Sequence, residues 1–149
     1  MKVNEIANRR QAGQHKHLWV EAGKATRGCA NLPQGMFLWR GIILTAVGVD
    51  KTLKNGLRYQ LLKLPSEEDA NFEVQNINDK DESVGERISL NQERLTEILR
   101  LSHAISYFSS QARTIPNVRL SQTNHKHFSL RHLIVGMGRA GEGRGVEVE

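Results

Sequence analysis

Residues 86–115 carry the feature of this sequence that most constrains its fold, a long hydrophobic pattern with helical spacing. At about 100° per residue, the apolar positions fall within roughly half of the helix circumference, the pattern of a helix that faces a core. These positions are Leu95, Ile98, Leu99, Leu101, Ile105, Phe108 and Ala112. Ser89 followed by Gln92 resembles a capping box, and Pro116 cannot continue a helix. The sequence therefore predicts one amphipathic helix over residues 90–114.

Two apolar stretches earlier in the chain predict strands. Residues 36–49 are rich in strand-forming side chains, and residues 57–64 follow after Asn55-Gly56, the dipeptide that best tolerates a tight hairpin turn. Residues 72–77 alternate in polarity and predict an edge strand.

The expected fold class is α+β, with a small antiparallel sheet of about three strands packed against the one long amphipathic helix. An N-terminal helical region is expected to precede the sheet, and a flexible, glycine-rich C-terminal tail to end the chain. In terms of domains, residues 1–135 are expected to form a single α+β domain and residues 136–149 the tail. Within the domain, residues 1–30 form a basic region and residues 66–86 an acidic loop.

The charges are unevenly distributed along the chain. The 149 residues include 21 Lys and Arg against 16 Asp and Glu, for a net charge of +5. Residues 1–64 hold eleven basic against three acidic residues, residues 65–97 three against ten, and residues 98–149 seven against three. Basic segments on both sides of an acidic one favour a surface that binds a polyanion. The alternative is that the charge serves solubility alone.

Other features narrow the class of protein. A single cysteine, Cys29, rules out an intrachain disulfide framework. The first residues lack the apolar stretch of a secretory signal, and no stretch reaches membrane-spanning length. We therefore expect a cytoplasmic protein without a membrane contact, and we expect no cofactor.

Candidate binding residues come from both basic segments. A basic side chain can contact a phosphate if it is exposed, charged and long enough to reach it. Aromatic rings beside such side chains can stack on bases, which stabilises binding by ~1–3 kcal/mol per base. The candidates are Arg9, Arg10, Lys16, Trp39, Arg40, Arg58, Tyr59, Lys126 and Arg131. The alternative for Trp39 and Tyr59 is that each ring packs in the core beneath the helix.

Two further motifs carry less weight. Residues 136–141 have the glycine spacing of a dinucleotide-binding fingerprint, but too little chain follows for the helix and second strand that the fingerprint needs. The pairs His15/His17 and His125/His127 lack the companion ligands of a typical zinc site, so we expect no metal.

The leading hypothesis is a nonenzymatic nucleic-acid-binding protein, for DNA or RNA, that uses basic surface from both ends of the chain. A protein-interaction or inhibitor module that docks through the long helix or the acidic loop is the first alternative. A metal-dependent nuclease centred on His125 and His127 is the second.

Overall fold

A computed structural model of the chain describes residues 2–24, 32–47, 51–78, 80–104, 118–120, 123–140 and 146–148. The chain forms two compact units, Met1–Ala104 and Ile105–Glu149. The elements of the first unit are α1 (Lys2–Ala12), β1 (Leu18–Val20), β2 (Met36–Leu38), β3 (Ile43–Ala46), β4 (Arg58–Lys63), β5 (Phe72–Ile77), β6 (Ser83–Leu90), α2 (Gln92–Ile98) and β7 (Leu99–Leu101). Those of the second unit are β8 (Val118–Leu120), α3 (Leu130–Met137) and β9 (Val146–Val148). The predicted α+β class is confirmed, whereas the predicted domain boundaries stay a prediction.

The main sheet of the first unit has five antiparallel strands in the order β6-β5-β4-β3-β7. The predicted antiparallel pairing of β3 with β4 is confirmed, but β3 ends at Ala46 and β4 begins at Arg58, so the connection is longer than the predicted tight turn at Asn55-Gly56. Gly56 adopts a φ of +81°, which glycine tolerates without a steric cost, and its N–H donates to the carbonyl of Ala46 at 2.9 Å. The prediction of about three strands is wrong, because β6 and β7 extend the sheet on its two sides.

The predicted strand over residues 36–49 is interrupted at Gly41. This glycine has a φ of +95°, and the N–H of Ile42 donates to the carbonyl of Trp39 at 3.2 Å, which closes a turn between β2 and β3. The turn separates the two strands into different sheets, since β2 pairs with β1 and β3 pairs with β4 and β7. Two short strands therefore replace the single long one.

The predicted helix over residues 90–114 is wrong in its first part. Strand β6 continues to Leu90, and α2 begins only after Asn91, whose side-chain oxygen accepts from the N–H of Arg94 at 2.8 Å. The helix ends at Ile98, because Leu99 and Leu101 enter β7 and pair with Ala46 and Leu44 of β3. Residues 105–114 lie outside the described residues.

The core of the first unit lies on one face of the main sheet. Alternate residues of β3, β4 and β5 are buried and meet α2, which closes the core through Leu95 and Ile98. The fully buried side chains of these strands are Leu44, Leu61, Phe72 and Val74. Buried residues of the N-terminal elements, Ala12, Val20 and Met36, belong to the same core.

The second unit is a short β-α-β arrangement. Strands β8 and β9 are parallel, and Arg119 on β8 pairs with Glu147 opposite it on β9 at 2.7 Å. The prediction of a flexible tail over residues 136–149 is wrong in part, because this segment contains the end of α3 and all of β9. No helix in the described ranges is long and apolar enough to span a membrane.

Candidate nucleic-acid interface

Two asparagines of helix α1 form hydrogen bonds with the rest of the first unit. Asn8 is 2% exposed, and its side-chain amide donates to the carbonyl of Phe37 and accepts from the N–H of Phe37, each at 2.9 Å. Asn4, one turn earlier, makes the same pair of bonds with Ala104. Residues four apart share one face of a helix. The Asn8 side chain thus bonds to the backbone of β2 in the way that a paired strand would. Arg9 and Arg10 follow Asn8 directly in the chain and therefore lie close to β2.

Four of the predicted cations lie in this region. Arg9, Arg10, Lys16 and Arg40 are exposed, and none of them forms an ion pair with another described residue. Lys16 and Arg40 lie near each other because the residues before them, His15 and Trp39, stack with ring centroids 5.0 Å apart and planes 7° from parallel. We call Arg9, Arg10, Lys16 and Arg40 the basic surface.

Arg58, the fifth predicted cation of this unit, has other partners. Its guanidinium lies 2.9 Å from Asp81 and donates to the carbonyl of Asn78 at 2.6 Å, both in the turn between β5 and β6. Lys63 on the same strand pairs with Asp69 at 2.8 Å, a hydrogen bond that raises the pKa of Lys63 and lowers the pKa of Asp69. The acidic segment therefore pairs with Arg58 and Lys63 of β4, whereas no described carboxylate pairs with the four cations of the basic surface.

The two aromatic rings predicted to stack on bases are buried. Trp39 is 5% exposed and stacks with the rings of both His15 and His103. Tyr59 is 2% exposed, and its hydroxyl accepts from the N–H of Lys54 at 3.0 Å. Both rings belong to the core, which was the alternative interpretation of the sequence. The predicted stacking surface therefore does not exist at these two residues.

An exposed aromatic group lies elsewhere, on the ribbon of β1 and β2. Trp19 is 47% exposed and pairs directly across the ribbon with Phe37, at a centroid distance of 4.7 Å and a tilt of 57°. His17 meets Phe37 edge-on at 5.2 Å. Trp19 is not among the predicted candidates because residues 1–30 are predicted to be a helical region. Trp19 and Val20 are adjacent strand formers, and this is the signal in the sequence that could have found the strand.

His103, which stacks on Trp39, is a group of the first unit whose pKa is shifted. Its ring stacks on Trp39 at a centroid distance of 6.1 Å. The His103 side chain is partly buried, whereas His15 is exposed. Burial of the imidazole lowers the pKa of His103, and within the described part of the chain its Nε2 has no hydrogen-bond partner. The His103 ring is therefore kept neutral over a wider range of pH than an exposed histidine.

The remaining candidates belong to the second unit. Lys126 and Arg131 are exposed, the first in a turn and the second on α3. The rings of His125 and His127 lie 5.3 Å apart, and the Nδ1 of His125 accepts from the N–H of His127 at 3.3 Å. Among the residues that the structure describes, no three histidine, cysteine or acidic side chains form a group able to hold a metal.

His132, the last histidine of this segment, lies in the first turn of α3. The Nδ1 of His132 accepts from the N–H of Ser129 at 3.1 Å and lies 2.8 Å from its hydroxyl oxygen, so the imidazole helps to cap the helix. Leu133, Val135 and Gly136 all lie in α3, so the first glycine of this motif is part of a helix and does not follow the strand that a dinucleotide fingerprint needs.

The fold resembles part of several solved proteins described as Pif1 helicases. One solved relative is the Pif1 helicase from Candida albicans, with 15% sequence identity over 99% of this chain and a TM-score of 0.65. A second is a Bacteroides Pif1 bound to ssDNA, with 17% identity over 97% of this chain and a TM-score of 0.62. A third, from a study of DNA unwinding at forked dsDNA by two coordinating Pif1 helicases, has 19% identity over 99% of this chain and a TM-score of 0.67.

These similarities extend over only part of the solved proteins. The chain spans 43% of the Candida albicans protein and 37% of each of the other two. At such low sequence identity the similarity establishes the fold alone. No protein-family model matches the sequence, and no curated protein matches it.

Proposed function

We propose that this chain binds nucleic acid without catalysing a reaction on it, and that the basic surface makes the main phosphate contacts. The observation that carries the proposal is the division of the cations in the first unit. Arg58 and Lys63 are paired with carboxylates, whereas Arg9, Arg10, Lys16 and Arg40 are exposed and free of ion pairs with the described residues. Unpaired cations held on a rigid surface are suited to phosphate contacts, which release counterions from the nucleic acid.

Two further observations support this function. A protein of the same fold is described as bound to ssDNA, although the chain spans little more than a third of it. Lys126 and Arg131 of the second unit are also exposed, and we propose that they add phosphate contacts from the other basic segment. The sequence has no P-loop motif, so we propose binding and no nucleotide-driven unwinding for the chain itself.

The test is a titration of labelled DNA and RNA, single- and double-stranded, with the protein at about 50 and 200 mM salt. We expect an affinity that falls with salt. The double variant Arg9→Ala/Arg10→Ala should weaken binding and flatten the dependence of log K on log salt, by about 0.7 per lost phosphate contact on a single strand.

Arg87→Ala is the matched control, because it also removes one exposed arginine charge, on β6 and away from α1. The proposal is wrong if the wild-type protein does not bind at low salt, or if Arg87→Ala weakens binding as much as Arg9→Ala does alone. Adding Mg²⁺ to the same samples tests the nonenzymatic part of the proposal, since shortened strands would identify a nuclease.

The alternatives have less support from the described residues. Docking through the acidic loop is disfavoured because Asp69 and Asp81 are already paired with Lys63 and Arg58 of the same unit. A nuclease centred on His125 and His127 lacks a third ligand among the described side chains.

A further inference from the structure

We propose that the ribbon of β1 and β2 carries a stacking site for one base of a single-stranded nucleic acid, with the exposed ring of Trp19 as its platform. The inference rests on the proposed function, because the basic surface supplies the phosphate contacts that bring a strand to the ribbon. It adds a preference that phosphate contacts do not give, since phosphates are common to single and double strands.

The ribbon holds the Trp19 ring in a fixed position. Val20, Met36 and Leu38 are buried on its inner side, while Trp19 and Phe37 form a cross-strand pair on its outer side. Gly35 lies against the indole, so closely that a Cβ on this residue would be 3.1 Å from Cζ2 of Trp19. A ring that is already ordered loses little conformational entropy when a base stacks on it.

The Phe37 ring leaves room for a base on Trp19. The two ring planes are tilted by 57°, so Phe37 supports the indole without covering it face to face, and about half of the Trp19 surface is open to solvent. Every base has a flat π-face, and stacking on an aromatic side chain is therefore tolerant of sequence. In a duplex the bases already stack on each other, so only an unpaired base is free to use the site.

The cations of the basic surface lie close enough to the ribbon to hold the same strand. Lys16 precedes Trp19 by three residues, a span of at most about 10 Å. Arg9 follows Asn8, whose side chain is bonded to the backbone of Phe37. An aromatic platform with exposed cations close to it in the chain matches a base and its neighbouring phosphates better than it matches an apolar peptide.

The decisive comparison is between Trp19→Ala and wild type on a single-stranded oligonucleotide and on the matching duplex. We expect the single-strand affinity to fall by roughly 5- to 150-fold, the loss associated with one stacked base. The duplex affinity and the salt dependence should not change, because the phosphate contacts remain. Val84→Ala is the matched control, since it also removes an exposed apolar side chain, on β6 outside the ribbon and the basic surface, and should leave both affinities unchanged.

Tryptophan fluorescence provides an independent readout that does not depend on a truncated side chain. The chain has two tryptophans, of which Trp39 is buried and Trp19 is exposed. A single strand should quench the emission of the wild-type protein and leave that of Trp19→Phe almost unchanged, although Trp19→Phe should keep more affinity than Trp19→Ala.

The outcomes separate this inference from the proposed function. If the wild-type protein binds neither single strands nor duplex, both proposals are wrong. If it binds both and Trp19→Ala binds single strands as well as wild type, only the stacking site is wrong. An equal loss on single strands and duplex would also overturn the stacking site, because it would show that Trp19 acts without regard to unpaired bases.

Discussion

The replacement Asn8→Ala tests how α1, and with it half of the basic surface, is held in place. The Asn8 amide is buried and makes two hydrogen bonds of 2.9 Å to the backbone of Phe37. Alanine removes both bonds and leaves the N–H and carbonyl of Phe37 without these partners. Because such groups lose their bonds to water on burial, their satisfaction matters more than an average surface hydrogen bond does.

The expected size of the effect follows from these contacts. Two hydrogen bonds contribute about 1–3 kcal/mol together, and an unsatisfied buried group adds to the loss. Alanine recovers at most ~0.7 kcal/mol through its higher helix propensity. We therefore expect Asn8→Ala to lower the free energy of unfolding by about 1–3 kcal/mol.

Asn4→Ala is the matched control for this change. It is the same replacement on the same face of the same helix, so the gain in helix propensity cancels, but the bonds of Asn4 to Ala104 are exposed and water replaces them. Urea unfolding of the full chain, followed by circular dichroism, gives the change in stability of each variant. Hydrogen exchange of the Phe37 amide reports on the lost bond itself. An Asn8→Ala variant no less stable than Asn4→Ala, with an equally protected Phe37 amide, would refute the reasoning.

Two further predictions concern the sheet and the partly buried imidazole of His103. Gly56→Ala should cost about 1–2 kcal/mol in urea unfolding, because a side chain at a φ of +81° is strained, whereas Gly13→Ala, which meets only an ordinary contact at 3.7 Å, should be nearly neutral. Burial lowers the pKa of His103 in the folded state, so the unfolded chain takes up this proton first as the pH falls below about 6.5. Stability should therefore decrease from about pH 7 to pH 5, and less steeply in His103→Gln; parallel curves for the two proteins would contradict this assignment.

Sequence alone identifies those elements whose cause is local. The turn at Asn55-Gly56 depends on the backbone freedom of Gly56, which has a φ of +81°, and the two stretches on either side of the connection pair as predicted, although β3 already ends at Ala46. The exposure of Arg9, Arg10 and Lys16 likewise follows from the polar surroundings of these residues in the chain.

The long helix failed because one set of apolar residues satisfies two patterns. Leu95 and Ile98 have helical spacing and do lie on α2, but Leu99 and Leu101 also alternate as a strand does. Pairing with β3, more than fifty residues earlier in the chain, decides in favour of the strand. No property of residues 95–101 alone contains that information, since tertiary pairing overrides local propensity.

The candidate site shows the same division between local and long-range causes. The sequence does not distinguish Arg58 from Arg40 as a cation for phosphate contacts. In the fold, Asp81 pairs with Arg58, whereas no acidic side chain among the described residues pairs with Arg40. Trp19 lies on a strand of three residues whose partner is Met36–Leu38. A strand this short has too few residues for alternation to reveal which side chains face outward.

The irregular backbone of β6 affects whether a strand of another molecule can pair with this edge of the sheet. Among the described strands it is the last on its side of the sheet, and most of its eight residues are exposed. Gly85, with a φ of +79°, and Glu86 are extra residues between Val84 and Arg87, which pair with Asn76 and Gln75 on β5. This bulge breaks the regular spacing of the outer N–H and C=O groups, and Glu86 and Arg87 add charge beside it. Both features oppose the addition of a foreign strand, so this border of the sheet is protected against edge-to-edge aggregation.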